Sequence, residues 1–332
     1  MQRGKETDYR SVEPPKENMM LGGKVASVFP GQGSQFVGMG FELYQNSRSA
    51  RDVFDEVDQA LRFKLSRLIF EGSDKDLTDT INSQPAITAV SIASVKALEE
   101  TLGNKIPQSE VVAGHSLGFY TSLVVAGVIP LSDGVRLVRE RGRLMKEESA
   151  KRPGGMVAII GLDQLTLEEI CQEVGAEFSN INSLNQLIIS GDRIALARAT
   201  DLASARGARK AVSLAVSGAF HSSLMGGARD ELARIINAME FNDPKIPIVG
   251  NSNAKFLTTA QEVKEELIDG LCNCVQWHKS VLNMVNFGVS HFIEFGPGRV
   301  LSGLIRQIDE SVQAFSINSP GSIQKLANAM AP

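Results

Sequence analysis

VVAGHSLGFY, Val111 to Tyr120, is the stretch whose reading decides the fold. Val111 to Ala113 are an apolar run that reads as a buried strand ending at Ser116, and from Leu117 the residues LGFYTSLVVAGV have helical spacing and close on Gly127. The local order is strand, sharp turn, buried helix. In that setting G-x-S-x-G is the pattern of a nucleophile elbow. Gly114 and Gly118 remove side chains that would crowd the turn, so the Ser116 hydroxyl can stand at the top of the strand with a helix N-terminus behind it. The Leu117 amide is then free to donate to an oxyanion. A glycine-rich turn with an idle serine is the bland alternative; the two flanking elements favour the nucleophile.

Working outward, KVASVFPGQGSQ reads as a second buried strand, Val25 to Phe29, running into an open Pro/Gly loop that a ligand can approach closely. Helical patterns are expected at Ser49–Leu61 and Gln84–Thr101, and an amphipathic helix over Leu131–Ala150 with its cap at Ser132 or Asp133. After KRPGG the style changes to strand MVAIIGL, helix TLEEICQEVG, a strand pair in FSNINSLNQLIISG, helix DRIALARATDLASARG and strand ARKAVSLAV. This β-α-β-β-α-β order predicts a ferredoxin-like small domain over 151–217, inserted in a large α/β-hydrolase-like domain with a parallel sheet, made of 24–150 and 218–332. Residues 1–23 are polar, carry a Pro pair and lack the apolar centre of a signal peptide, so they read as a disordered tail or as sequence upstream of a start near Met19 or Met20.

Composition narrows the function classes. With 332 residues, 43% hydrophobic, the chain is long enough for a large core. Its 34 basic and 38 acidic residues are well mixed and give a formal charge of -4, which argues against nucleic acid as the main ligand. No apolar run approaches the ~20 residues of a membrane helix. Cys171, Cys272 and Cys274 cannot all pair with one another, and a reducing cytoplasm is the simplest setting. The C-x-C pair has no second pair at ligand spacing, so no metal is expected.

A serine near its free pKa needs a base. His115 adjoins Ser116, but alternate side chains leave a strand on opposite sides, which suits it to supporting the turn. His278 and His291 read as structural or surface residues. His221, in AVSGAFHSSLM, follows a strand and a glycine-containing loop and precedes a helix, the address of a base delivered from a loop.

FPGQGSQ, GHSLG, RGRLM, AFHSSLM, VQWHKS and EFGPGRVLSGL together resemble, in order and spacing, the malonyl-CoA:acyl-carrier-protein transacylases of fatty acid synthesis and the related acyltransferase domains of polyketide synthases. The resemblance covers nearly everything after Lys24. It implies ping-pong transfer: Ser116 takes the malonyl group from malonyl-CoA and passes it to the phosphopantetheine thiol of holo acyl carrier protein, without a cofactor. By resemblance His221 is the base, the backbone carbonyl of Gln276 orients it, and the amides of Gln32 and Leu117 form the oxyanion hole. Arg141 is the clamp for the free malonyl carboxylate, with Arg139 and Arg143 solvated or facing coenzyme. Phe220 disfavours an α-methyl branch and so favours malonyl over methylmalonyl. Arg299 reads as structural, and a cytoplasmic monomer is expected.

One position departs from the family pattern. Many relatives read G-H-S-L-G-E, and this chain has Phe119 after Gly118. That substitution puts the entrance for the thiol in question and raises a free-standing polyketide acyltransferase as an alternative. An acyl hydrolase is the other enzymatic alternative, disfavoured by Arg141; a scaffold that only binds carrier protein is disfavoured by Ser116, His221 and Arg141 together.

Overall fold

The computed structural model describes residues 22–330. The tail expected over 1–23, with its start near Met19 or Met20, therefore lies outside the described residues except for Gly22 and Gly23.

Two sheets organise the chain. The larger runs β10-β9-β1-β2-β7-β8, from β1 (Lys24–Phe29), β2 (Ser109–Gly114), β7 (Ile248–Val249), β8 (Phe256–Leu257), β9 (Val289–Phe295) and β10 (Gln313–Ile317). All its pairs are parallel except β7 with β8. Parallel strands are covered by helices on both faces. Accordingly Val25, Ala26, Val28 and Phe29 of the central β1 are all fully buried, one set in each of two apolar cores. The strand ends Phe29 and Gly114 are register partners, so the loop after β1 and the turn after β2 open side by side at the carboxyl edge, where ligands of open α/β sheets bind.

The smaller sheet is antiparallel, ordered β4-β5-β3-β6. It comprises β3 (Gly155–Ile160), β4 (Glu177–Ser183), β5 (Gln186–Gly191) and β6 (Lys210–Ser213), with helices Gln164–Val174 and Arg193–Ala205 in the β-α-β-β-α-β order. Its apolar core is its own, with Val157, Ile159, Leu167, Leu187 and Ile189 inside. Asp163 and Asp192 cap the two helices. The sheet is stitched to the rest through β4: Ile181 N donates to the Val275 carbonyl and Val275 N to the Ser179 carbonyl, both at 2.8 Å.

Two helix boundaries differ from the sequence pattern. The helix expected from Gln84 begins at Thr80, because the Asp79 side chain caps it and Pro85 is tolerated inside the early turns. The Leu131–Lys151 helix takes Pro130 as its N-cap, with no side-chain cap from Ser132 or Asp133; Pro130 holds the extended backbone that an N-cap needs.

Candidate active site

The elbow is built by close packing that only glycine permits. A Cβ on Gly118 would lie 1.9 Å from the Phe29 carbonyl oxygen, and one on Gly114 would lie 1.8 Å from the Gly118 backbone. β2 and the Leu117–Val125 helix thus approach β1 without intervening side chains, and Ser116 between them is driven to φ 51°, ψ -101°. That region is unfavourable for any residue with a side chain, by about 1–3 kcal/mol. The surroundings hold it there: Asn251 Oδ1 accepts the Ser116 N–H at 2.7 Å, while Asn251 Nδ2 donates to the Gly114 carbonyl at 2.7 Å.

His221 meets the serine from 105 residues away, with Nε2 2.7 Å from Ser116 Oγ. It too has positive φ, 55°. Its Nδ1 faces two carbonyls, Gly270 at 2.8 Å and Asn273 at 3.2 Å. Carbonyls only accept, so the ring proton sits on Nδ1 and Nε2 is free to take the hydroxyl proton. Burial, reinforced by the Arg141 charge and opposed by the two carbonyls, pulls the His221 pKa down to about 3. The imidazole is therefore a neutral base at working pH.

Gln276 does not orient the histidine. Its carbonyl accepts from Ser280 N at 2.9 Å and starts the Trp277–Asn286 helix. Since a carbonyl turned into a helix axis cannot also face the imidazole, the role falls to Gly270 and Asn273, at the end of the preceding helix and in the loop after it.

Arg141 reaches the same oxygen, its Nη2 donating to Ser116 Oγ at 3.0 Å and its Nη1 to Gln84 Oε1 at 2.8 Å. It is 2% exposed, lies over the Tyr120 ring at 5.0 Å, and its Nε has no hydrogen-bond partner. Among the described residues no carboxylate is within ion-pair range of it. Its neighbours differ: Arg143 is ion-paired with Glu140 and Glu147, and Arg139 covers the Phe63 ring. A buried guanidinium with a donor to spare has the planar fork of N–H groups that suits a carboxylate.

The PGQGSQ loop lies against the elbow, with His115 N donating to the Phe29 carbonyl and the Cβ position of Gly31 only 2.7 Å from the His115 carbonyl. The Gln32 side chain is tied to Thr80 Oγ1 at 2.6 Å, which fixes the residue whose amide the resemblance assigns to the oxyanion hole. Leu117 is the first residue of its helix, so its amide has no intrahelical acceptor. His115 turns away from the serine, bonding Asn182 Oδ1 at 2.8 Å and packing on Trp277.

Phe220 is buried before His221, and its carbonyl accepts from Ser190 Oγ of β5 at 2.6 Å. Phe119 is 3% exposed and lines a narrow cavity with Ser116, Arg141, His221 and Glu266. It belongs to the pocket wall, so its consequence is for the inner pocket more than for the entrance. His278 and His291 stand outside this cavity. No cluster of three or more His, Cys, Asp or Glu placed to hold a metal occurs among the described residues, nor a helix long and apolar enough to cross a membrane.

Gln84, Asn251, Gly270 and Asn273 escaped the sequence reading. A polar Gln84 in the Ala-, Val- and Ile-rich helix and an Asn one glycine past the strand IPIV were the available signals for the first two.

Comparison with known proteins fits this geometry. Residues 27–328 match the family model described as the acyl transferase domain. The chain is 40% identical over 306 residues to the malonyl CoA-acyl carrier protein transacylase of Bacillus subtilis, covering 91% of this chain and 95% of that one. With its Escherichia coli counterpart it shares 39% over 302 residues, covering 90% and 97%. Among solved structures, an acyl-carrier-protein S-malonyltransferase from Bartonella henselae superposes with a TM-score of 0.89 at 37% identity, covering 92% of this chain and 99% of that one. A malonyl-transacylase in complex with a type II polyketide synthase acyl carrier protein gives 0.88 at 37% identity, with the same coverage.

Proposed function

The chain belongs to the malonyl-CoA:acyl-carrier-protein transacylase family of acyltransferases, and from that premise we propose that it moves malonyl from coenzyme A to holo acyl carrier protein through an ester on Ser116. The observation that carries this reading is the position of Ser116 Oγ, 2.7 Å from a neutral imidazole nitrogen and 3.0 Å from a guanidinium that has no anion of its own.

In the first half-reaction His221 Nε2 takes the Ser116 proton as Oγ attacks the thioester carbonyl. The amides of Gln32 and Leu117 receive the oxyanion, and each such donor stabilises the transition state by roughly 3–4 kcal/mol. The C–S bond then breaks and His221 returns the proton to the coenzyme thiolate. The second half runs in reverse: His221 takes the carrier thiol proton, the thiolate attacks the ester, and Ser116 leaves with that proton. Throughout, Arg141 holds the malonyl carboxylate by charge-assisted hydrogen bonds, so that the free acid is bound without being attacked.

The reaction so drawn uses no cofactor. Phe220 at the pocket favours malonyl over the α-methylated acid by about 1–3 kcal/mol. We read 24–150 and 218–332 as the catalytic unit, of α/β-hydrolase-like form, and 151–217 as a ferredoxin-like insert that frames it, acting in the cytoplasm as a monomer.

The test is to load the protein with radiolabelled malonyl-CoA and chase with holo carrier or buffer. Label is expected to pass to the carrier, and Ser116→Ala to take none. Equal release of free malonate in both tubes would make the protein a hydrolase.

A further inference from the structure

Glu266 is the carboxyl of the pocket that this mechanism leaves unused. It stands on the Ala260–Asp269 helix, 4% exposed, and lines the same cavity as Ser116, Phe119 and Arg141. No cation opposes it within ion-pair range among the described residues. A buried carboxyl in that position is destabilising unless its oxygens are hydrogen-bonded, and they are: Oε1 accepts from Ser252 N at 2.6 Å and Oε2 from Ser252 Oγ at 2.7 Å. The turn they hold is the one that carries Asn251, whose side chain grips the Ser116 N–H and the Gly114 carbonyl. The turn also packs on the carboxyl directly, since a Cβ on Gly250 would lie 3.1 Å from it.

The second observation concerns position 119. By the resemblance, many relatives read G-H-S-L-G-E, with a carboxyl at this third residue of the elbow helix; here Phe119 lines the cavity, and the cavity's carboxyl comes from a different helix. We propose that Glu266 is a positioning residue for the nucleophile: through Ser252 and Asn251 it holds Ser116 in its strained conformation, and it returns to the pocket the carboxyl that the elbow gave up at Phe119. This rests on Ser116 being the acyl carrier.

A swap tests it. Wild type, Glu266→Leu, Phe119→Glu and the double variant are compared for kcat and KM with malonyl-CoA, and for the rate at which a fluorophosphonate labels the active serine. Glu266→Leu is expected to lower kcat and labelling on the order of 10- to 100-fold, with KM changed less than about twofold because Arg141 is untouched. Glu266→Gln, which keeps an acceptor for the turn, is expected to recover most of the loss. Phe119→Glu alone sets two carboxyls in one dry pocket and falls further, while the double variant outpaces both singles. Wild-type rates for Glu266→Leu, or a double variant no faster than the slower single, would overturn the proposal. If Glu266→Leu does not fold, Ser252→Ala must show the same kcat-only loss, and wild-type kcat there overturns it equally. A wild type that takes the phosphonate but never malonyl refutes the transfer reading alone and leaves the labelling comparison intact.

Discussion

The two partners of the central hydrogen bond are held in the same unfavourable backbone region by different means. Ser116, at φ 51°, is forced there by its neighbours in sequence: Gly114 and Gly118 let strand and helix close on one another and on Phe29. His221, at φ 55°, is set by pieces far along the chain, with Ser190 on the preceding carbonyl and Gly270 and Asn273 on the ring. One is a local motif and the other an assembly. The difference teaches that the Ser116 turn is shaped by five residues and fastened from outside by Asn251, whereas His221 depends throughout on how the small sheet and the loop before Trp277 dock.

The strongest way to break the comparison is to remove the base itself. His221→Ala is expected to lower the rate of Ser116 acylation by about 10²- to 10⁴-fold while leaving the elbow intact, as read by single-turnover labelling with malonyl-CoA. Retained acylation would mean that Ser116 finds its base elsewhere.

Acid reports on both regions together. His221 sits well below the ordinary histidine value, at about 3, and His115 is also lowered, each chiefly by burial. His221 stays neutral when folded and takes a proton when unfolded below about pH 6.5. Its stabilising contribution is therefore full above that pH and is lost as pH falls toward the folded value, with a slope approaching about 1.4 kcal/mol per pH unit for that ring, and His115 shifts in the same direction. Denaturant melts between about pH 7 and pH 4 should show it, and His221→Ala should flatten the slope. An unchanged slope would mean that the ring is charged in the fold.

Ser190→Ala attacks the assembly from the small sheet. It leaves the Phe220 carbonyl without its buried donor, which costs about 1–3 kcal/mol, and is expected to reduce acylation several-fold with little change in KM. A loss of stability with no loss of rate would make β5 a mere support.

The smallest effect is expected at Gln276. Its carbonyl belongs to a helix, so Gln276→Ala should stay within about 0.5 kcal/mol in stability and near wild type in rate. Alanine keeps the backbone carbonyl, so a large loss of activity would give the Gln276 side chain a part in the site that its carbonyl, bonded to Ser280 N, does not have.

What was legible in the sequence follows the same division. The elbow, the strand before FPGQGSQ and the order of elements in the small sheet all rest on contacts within a few residues, and periodicity and glycine placement carry them. Arg141 came through motif resemblance and His221 through its place in a loop before a helix as well as through resemblance, and the two meet at one oxygen. The orienting carbonyls were not legible, because a backbone acceptor leaves no trace in residue type; the resemblance pointed to the Gln276 carbonyl, six residues beyond Gly270. Asn251 reaches the elbow across 135 residues, marked locally only by its place after the strand IPIV and a glycine, and nothing local marks Glu266.

Arg141 has a consequence for the chain at rest. Its Nε is unpartnered, and the carboxyl that shares its cavity, Glu266, lies outside ion-pair range and is held by Ser252. As the proposed clamp, Arg141 is expected to bind a small diacid from solution, which would add to folded stability. Malonate should raise the melting temperature in a concentration-dependent way and compete with malonyl-CoA, and a monocarboxylate of the same size should do both less well. Arg141, proposed as the clamp for the substrate carboxylate, would thereby also make folded stability a gauge of the free diacid around the protein.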